Sequence, residues 1–321
     1  MTSARVSRAA AGGRNGPSGR HGFTLVELLV VILIIGMILA LVLPAVFRAQ
    51  VEAQNTAVSL QIDSLEAALE QYIGKYGLPP DFAQPGWAAD ANYQAQVMQH
   101  VRRRWPRYTG DFATMRAEIS SAWAIDINQL DAAEAIVFWL GGIARGGKPS
   151  GFFANPRTPF GNGSQREAPL FEFTETRLVD RDMDGWLEFY PDFPGRSPHE
   201  SAPFVYFAAP YEVTLGMSGT PVPDQYTVRA PNGLMMPVVV QPQHGVALPY
   251  VWSAPSAQIG QFINATSYQL LCAGQDQDFG QRMMPLPSPT PYPRYPSQQN
   301  FTEGDRDNLA NFSRKPLEAG Q

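Results

Sequence analysis

The sequence predicts an α+β fold. A long N-terminal helix, apolar in its first half and amphipathic in its second, packs on a C-terminal antiparallel β-sheet domain that carries a helical insert. Three observations predict it. Leu28 to Leu43 is sixteen residues without a polar side chain. Apolar residues then recur at helical spacings as far as Tyr76. After Gly146, short β-branched and aromatic runs alternate with turn dipeptides.

Composition sets the limits. A chain of 321 residues, 44% hydrophobic, holds one membrane helix and a soluble body but is not a multi-spanning protein. Its 29 prolines and 28 glycines, most of them after residue 140, favour strands and loops in the C-terminal part. The net charge is −5. Four arginines (Arg5, Arg8, Arg14, Arg20) and no acid precede Glu27, so the rest of the chain is more acidic still. No nucleic-acid partner is expected of such a body. Arg102-Arg103-Arg104 reads as a solvated helix face. Cys272 is the single cysteine, so no intrachain disulfide is possible, and its apolar neighbours make it an inward strand residue.

Residues 1–22 are a basic leader rich in Ala, Gly, Ser and Arg, with no apolar periodicity. Residues 23–47 reach the ~20 residues that a membrane helix needs. Residues 48–77 continue the same helix. Phe47, Val51, Val58, Ile62, Leu65, Leu69, Tyr72 and Tyr76 form one stripe, and Gly77 with Pro79-Pro80 stops it. Pro44 lacks a backbone donor and is expected to kink or locally melt the helix.

Residues 78–150 read as the helical insert, with helices over Asn92–Arg104, Ala113–Ala124 and Asp131–Leu140. Asp131 and Glu134 have capping-box spacing, and Ile136–Leu140 is too apolar for an exposed helix. Residues 151–321 form the β-rich part. Strands are expected at Leu170–Val179, Trp186–Phe189, Phe204–Ala208, Gln225–Arg229, Met235–Gln241 and Tyr268–Cys272. The proline-rich run 285–296 is a surface spacer.

Gly22-Phe23-Thr24-Leu25-Val26-Glu27, between the basic leader and the apolar run, resembles the class III signal of type IV pilins and type II secretion pseudopilins. The resemblance implies a pilin-like fold, cutting by prepilin peptidase between Gly22 and Phe23, and methylation of the new Phe23 amine. It also implies assembly through Phe23, Glu27 and the helix bearing Pro44 into a filament with other pilin-like subunits. Glu27 would pair with the Phe23 amine of a neighbour, or with its own before assembly. An ionisable group at the edge of hydrocarbon calls for such a partner. Implied partners are the peptidase, an inner-membrane assembly platform and membrane lipid. The leader would be cytoplasmic and the body periplasmic, in line with the positive-inside rule. The chain looks like a major pseudopilin with a large insertion. A type IV pilin for adhesion or DNA uptake, and a membrane-anchored periplasmic enzyme or binding protein, are the alternatives.

Two acidic loops are candidate calcium sites. Asp180, Asp182 and Asp184, with Gly185 and Glu188, begin like a calcium loop, because hard cations take clustered carboxylates and the glycine allows the turn. Pro191 stands where the bidentate glutamate of a full EF-hand would be. The stretch with Asp276 and Asp278, followed by Asp305 and Asp307, is similar to the calcium-binding C-terminal loop of major pseudopilins, interrupted here by the proline-rich run. Enzyme signatures are absent. His21, His100, His199 and His244 lack metal-ligand spacing and read as surface residues, and Ser218 makes no nucleophile elbow.

Overall fold

In the computed structural model the described residues are 23–83, 87–208, 238–239, 244–253, 261–282, 292–313 and 315–319. Gly22, His21, Ser218, the strand expected at Gln225–Arg229 and most of the proline-rich run lie outside them. The chain divides into two units, Met1–Gln50 and Val51–Gln321.

Helix α1 covers Leu25–Tyr76, 52 residues, and is unbroken at Pro44. At ~1.5 Å per residue it is about 78 Å long. It is long and apolar enough to cross a membrane, and none of its apolar window is buried. In the second unit the stripe is buried at Val58, Ile62, Leu65, Leu69 and Tyr72. The expected stripe began too early: Phe47 and Val51 are exposed, and the first buried side chain is the polar Asn55, whose Oδ1 accepts from Gln275 Nε2 at 3.0 Å. Gly77, at φ +80°, ends the helix as expected, its N–H bonding the Ile73 carbonyl.

Helices α2 (Ala91–Arg104) and α3 (Phe112–Trp123) are capped by the Asp90 and Asp111 carboxylates. Helix α4 (Ala135–Gly141) is entirely buried. It starts later than its capping residues suggest: Asp131 and Glu134 exchange side-chain and backbone bonds in the turn before it. The residues of this region share one aromatic core with α1, where Tyr72, Phe82, Trp87, Phe138 and Trp139 meet.

The strands are β1 (Ala144–Arg145), β2 (Lys148–Pro149), β3 (Leu178–Val179), β4 (Glu188–Phe189), β5 (Val205–Ala208), β6 (Val238–Val239), β7 (Val246–Ala247), β8 (Val251–Trp252), β9 (Tyr268–Cys272), β10 (Arg294–Tyr295) and β11 (Leu309–Ala310). Small sheets, mostly antiparallel, replace one broad sheet. The largest has the order β11-β9-β5, with Tyr206 opposite Leu270 and Leu309 opposite Cys272. The β8–β10 pair is parallel. Of the strand expected at Leu170–Val179 only β3 forms. Glu175–Arg177 is a 3-10 turn, and Phe171 and Phe173 pack edge-on to each other beside Phe189.

Three expectations of exposure fail. Arg104 is buried among the rings of Tyr72, Tyr76, Trp105 and Phe152, 4.4 to 5.0 Å from each centroid, and Nη1 donates to the Trp139 carbonyl at 3.0 Å. Arg102 and Arg103 are exposed as expected. His100 is fully buried at 2.8 Å from the Tyr72 hydroxyl, and burial pushes its pKa down to about 3, so the ring is neutral. His244 is buried too, 2.8 Å from the Gln277 carbonyl.

Candidate functional site

The first site is the start of α1. The Thr24 N–H and hydroxyl both donate to Glu27 Oε2 at 2.8 Å, and the Glu27 N–H donates to Thr24 Oγ1 at 3.2 Å. This is a capping box, which satisfies two of the orphan donors of the first turn and is worth about 1 kcal/mol. Glu27 thus has a local role that its spacing to Thr24 encodes. Glu27 Oε1 accepts no hydrogen bond among the described residues, which leaves one carboxylate oxygen for a further partner. Phe23 is 79% exposed, and the apolar side chains from Leu25 to Phe47 are exposed with it. Pro44 lies near the C-terminal end of this surface.

The second site is the loop between β3 and β4. The structure regroups its carboxylates. Asp180 builds the loop, its two oxygens accepting from the Asp184 and Gly185 N–H groups. Glu188 Oε2 accepts from the Arg181 N–H and the Tyr190 hydroxyl. Gly185 takes φ +98°, and a Cβ there would lie 2.2 Å from Ile125 Cγ2.

Asp182 and Asp184 converge instead with Glu134, from the turn before α4, and their ligand oxygens lie within 4.8 Å of one another. Asp184 Oδ2 is buried without a hydrogen-bond partner among the described residues. Burial, with Asp182, Asp180 and Asp131 nearby, pushes the Asp184 carboxyl up to about 7. Burial likewise carries Glu188 to about 7 and raises Asp182, Asp131 and Glu134. Sequence reading missed Glu134 as a member of this cluster. Its signal was a carboxylate at the head of a helix too apolar to be exposed.

The third site joins the end of β9 to the segment before β11. Here too the four expected carboxylates split. Asp307 Oδ2 accepts from the Gln275 and Asp276 N–H groups, while its Oδ1 is buried without a partner among the described residues. Burial raises both Asp276 and Asp307, which also interact with each other. Asp278 closes its own turn, accepting from the Gly280 N–H and Gln281 Nε2. Asp305 pairs with Arg282 at 2.6 Å.

Residues 17–43 match the prokaryotic N-terminal methylation motif. The match and the long apolar helix it runs into mark a type IV pilin-like protein. A signal of this kind implies processing by prepilin peptidase and pilin-like assembly, with the apolar helix as a membrane anchor. It points to a structural subunit rather than an enzyme. No curated protein and no solved structure matches the chain.

Proposed function

We propose that the chain is a structural subunit of a pilus-like filament and, within that class, a pseudopilin of a type II secretion system. Prepilin peptidase cuts between Gly22 and Phe23, the body lies in the periplasm, and assembly runs through residues 23–47. The observation that carries this reading is the head of α1. A capped helix presents an apolar surface from Leu25 to Phe47, with one carboxylate oxygen of Glu27 unengaged among the described residues, four residues from the amine that cleavage would free. A buried or lipid-facing carboxylate is costly unless paired, and a freed amine supplies the opposite charge.

The acidic body favours secretion over DNA uptake, since direct DNA binding draws on basic side chains. Calcium is the ion proposed for the loops. Its candidate holders are Asp276 and Asp307 in one, and Glu134, Asp182 and Asp184 in the other. In both, a buried carboxylate oxygen lacks, among the described residues, a partner that a hard cation would supply.

The test is made in cells. N-terminal sequencing of the mature protein is expected to begin at a methylated Phe23, and Gly22→Trp is expected to retain residues 1–22. Glu27→Ala is expected to insert into the membrane normally but to leave filaments unassembled. A mature chain beginning elsewhere, or normal filaments from Glu27→Ala, overturns the assembly reading. A deletion strain that still secretes its exoproteins but loses surface pili would replace the pseudopilin with a pilin.

A further inference from the structure

We propose that Arg282 is the resident cation of the C-terminal acidic loop. Its guanidinium fills an oxygen cage made by the Asp305 carboxylate and the backbone carbonyls of Val246, Phe279 and Gly280, so Asp305 ligates no metal ion. Arg282 Nη2 lies 2.6 Å from both Asp305 oxygens. Arg282 Nη1 donates to the carbonyls of Val246 at 2.9 Å, Phe279 at 3.0 Å and Gly280 at 3.4 Å. One carboxylate and a ring of carbonyls is the donor set that a calcium ion takes. A guanidinium satisfies the same set through directed donors.

Both partners are shut away from water, with side chains 6% and 1% exposed. A carboxylate offers about four lone-pair sites. Asp305 fills them: Oδ1 also accepts from the Tyr250 hydroxyl at 3.0 Å, and Oδ2 from the Thr302 N–H at 2.6 Å and hydroxyl at 2.8 Å. An ion would have to displace the arginine and strand it in a buried position.

The backbone is shaped around this arginine. Gly280 has φ +116°, and a Cβ there would lie 2.4 Å from Arg282 Nη1 and 3.0 Å from Asp305 Oδ2. Gly245 has φ +69°, and its Cβ would lie 2.5 Å from the Gly280 carbonyl oxygen. Arg282 also sits where the chain leaves β9's loop for the proline-rich run that separates the two acidic parts. A residue just before the run that interrupts the loop thereby supplies the cation. Asp276 and Asp307 form a separate pair beside the cage, without an arginine among their described partners.

The test uses the mature full-length protein in detergent, stripped with chelator and titrated with calcium or terbium. Asp305→Asn is expected to leave any calcium-dependent rise in Tm within about 1 °C of the wild-type rise. Arg282→Ala is expected to lower Tm in chelator. It is also expected to gain a calcium-dependent recovery of about 5 °C or more beyond the wild-type response, at calcium about a hundredfold above its Kd. Terbium emission sensitised by Tyr250 is expected in Arg282→Ala and lost again in Arg282→Ala/Asp305→Asn.

Loss of a wild-type calcium response in Asp305→Asn overturns the proposal, because Asp305 would then be a ligand in the native protein. So does an Arg282→Ala variant that responds to calcium no more than wild type. Should Arg282→Ala fail to fold in chelator and in calcium alike, the cage is not one that calcium fills, and that outcome also counts against it.

Discussion

Arg104 shows how far a single residue departs from its local sequence. Read beside Arg102 and Arg103, it belongs to a charged helix face. On a helix, though, one residue of three consecutive ones points inward, and here the inward one meets four aromatic faces and the Trp139 carbonyl. Its ion-pair partner, Glu167, is 3.6 Å away and about a third exposed. Ring quadrupoles and a carbonyl therefore carry most of the charge's compensation. Arg104→Ala is expected to destabilise the body by about 3 kcal/mol in chemical unfolding, through lost packing and an unpaired carbonyl. Arg104→Lys is expected to recover less than half of that, because an ammonium lacks the planar face. Full rescue by lysine would make Arg104 a simple counter-ion to Glu167. None of this was legible from the chain, since the rings come from Tyr72, Tyr76, Trp105 and Phe152, far apart in sequence apart from Trp105. His100 and His244 were missed for the same reason: their partners are 28 and 33 residues away.

Among the elements, α1 was the most legible, and the short strands the least. An unbroken apolar run followed by a 3.6-residue stripe leaves little else for Leu25–Tyr76 to form. Gly77 marks its end by a conformation that glycine adopts freely. Tyr268–Cys272 was read correctly because all five of its residues are buried between two neighbours. Leu170–Val179 misled because its apolar residues serve ring packing and a 3-10 turn rather than a ladder. The stripe on α1 also needed correction at its start, and that correction is measurable. Leu65 is fully buried, whereas Val51 is 43% exposed. Leu65→Ala is expected to cost about 3 kcal/mol in urea unfolding, and Val51→Ala less than about 0.5 kcal/mol. Similar costs at the two sites would mean that the body covers α1 from Val51 onward.

Across the whole body, the placement of its carboxylates decides how stability responds to pH. Around α4 and the β3–β4 loop five of the carboxylates gather. Asp184 and Glu188 are pushed up to about 7, and Asp131, Glu134 and Asp182 are raised as well, in each case chiefly by burial. Unfolded, such groups titrate near 4. Between about pH 4 and 7 the folded body therefore holds more protons than the unfolded chain, and its stability falls as pH rises through that window. Asp126 acts in the opposite direction. Its hydrogen bonds to Arg116 lower its pKa, so its contribution is lost only in stronger acid, below about pH 4. Maximum stability in chelator is then expected near pH 4, with Tm declining toward pH 8. Asp184→Asn keeps the bond to the Trp186 N–H through its amide oxygen and removes one of the titrating groups. It is expected to raise Tm at pH 8, leave it nearly unchanged at pH 4, and so flatten the profile. A wild-type Tm that rises from pH 5 to pH 8 in chelator, or an Asp184→Asn profile parallel to wild type, would mean that these carboxylates are solvated in the folded protein and that the β3–β4 loop is not drawn in against α4.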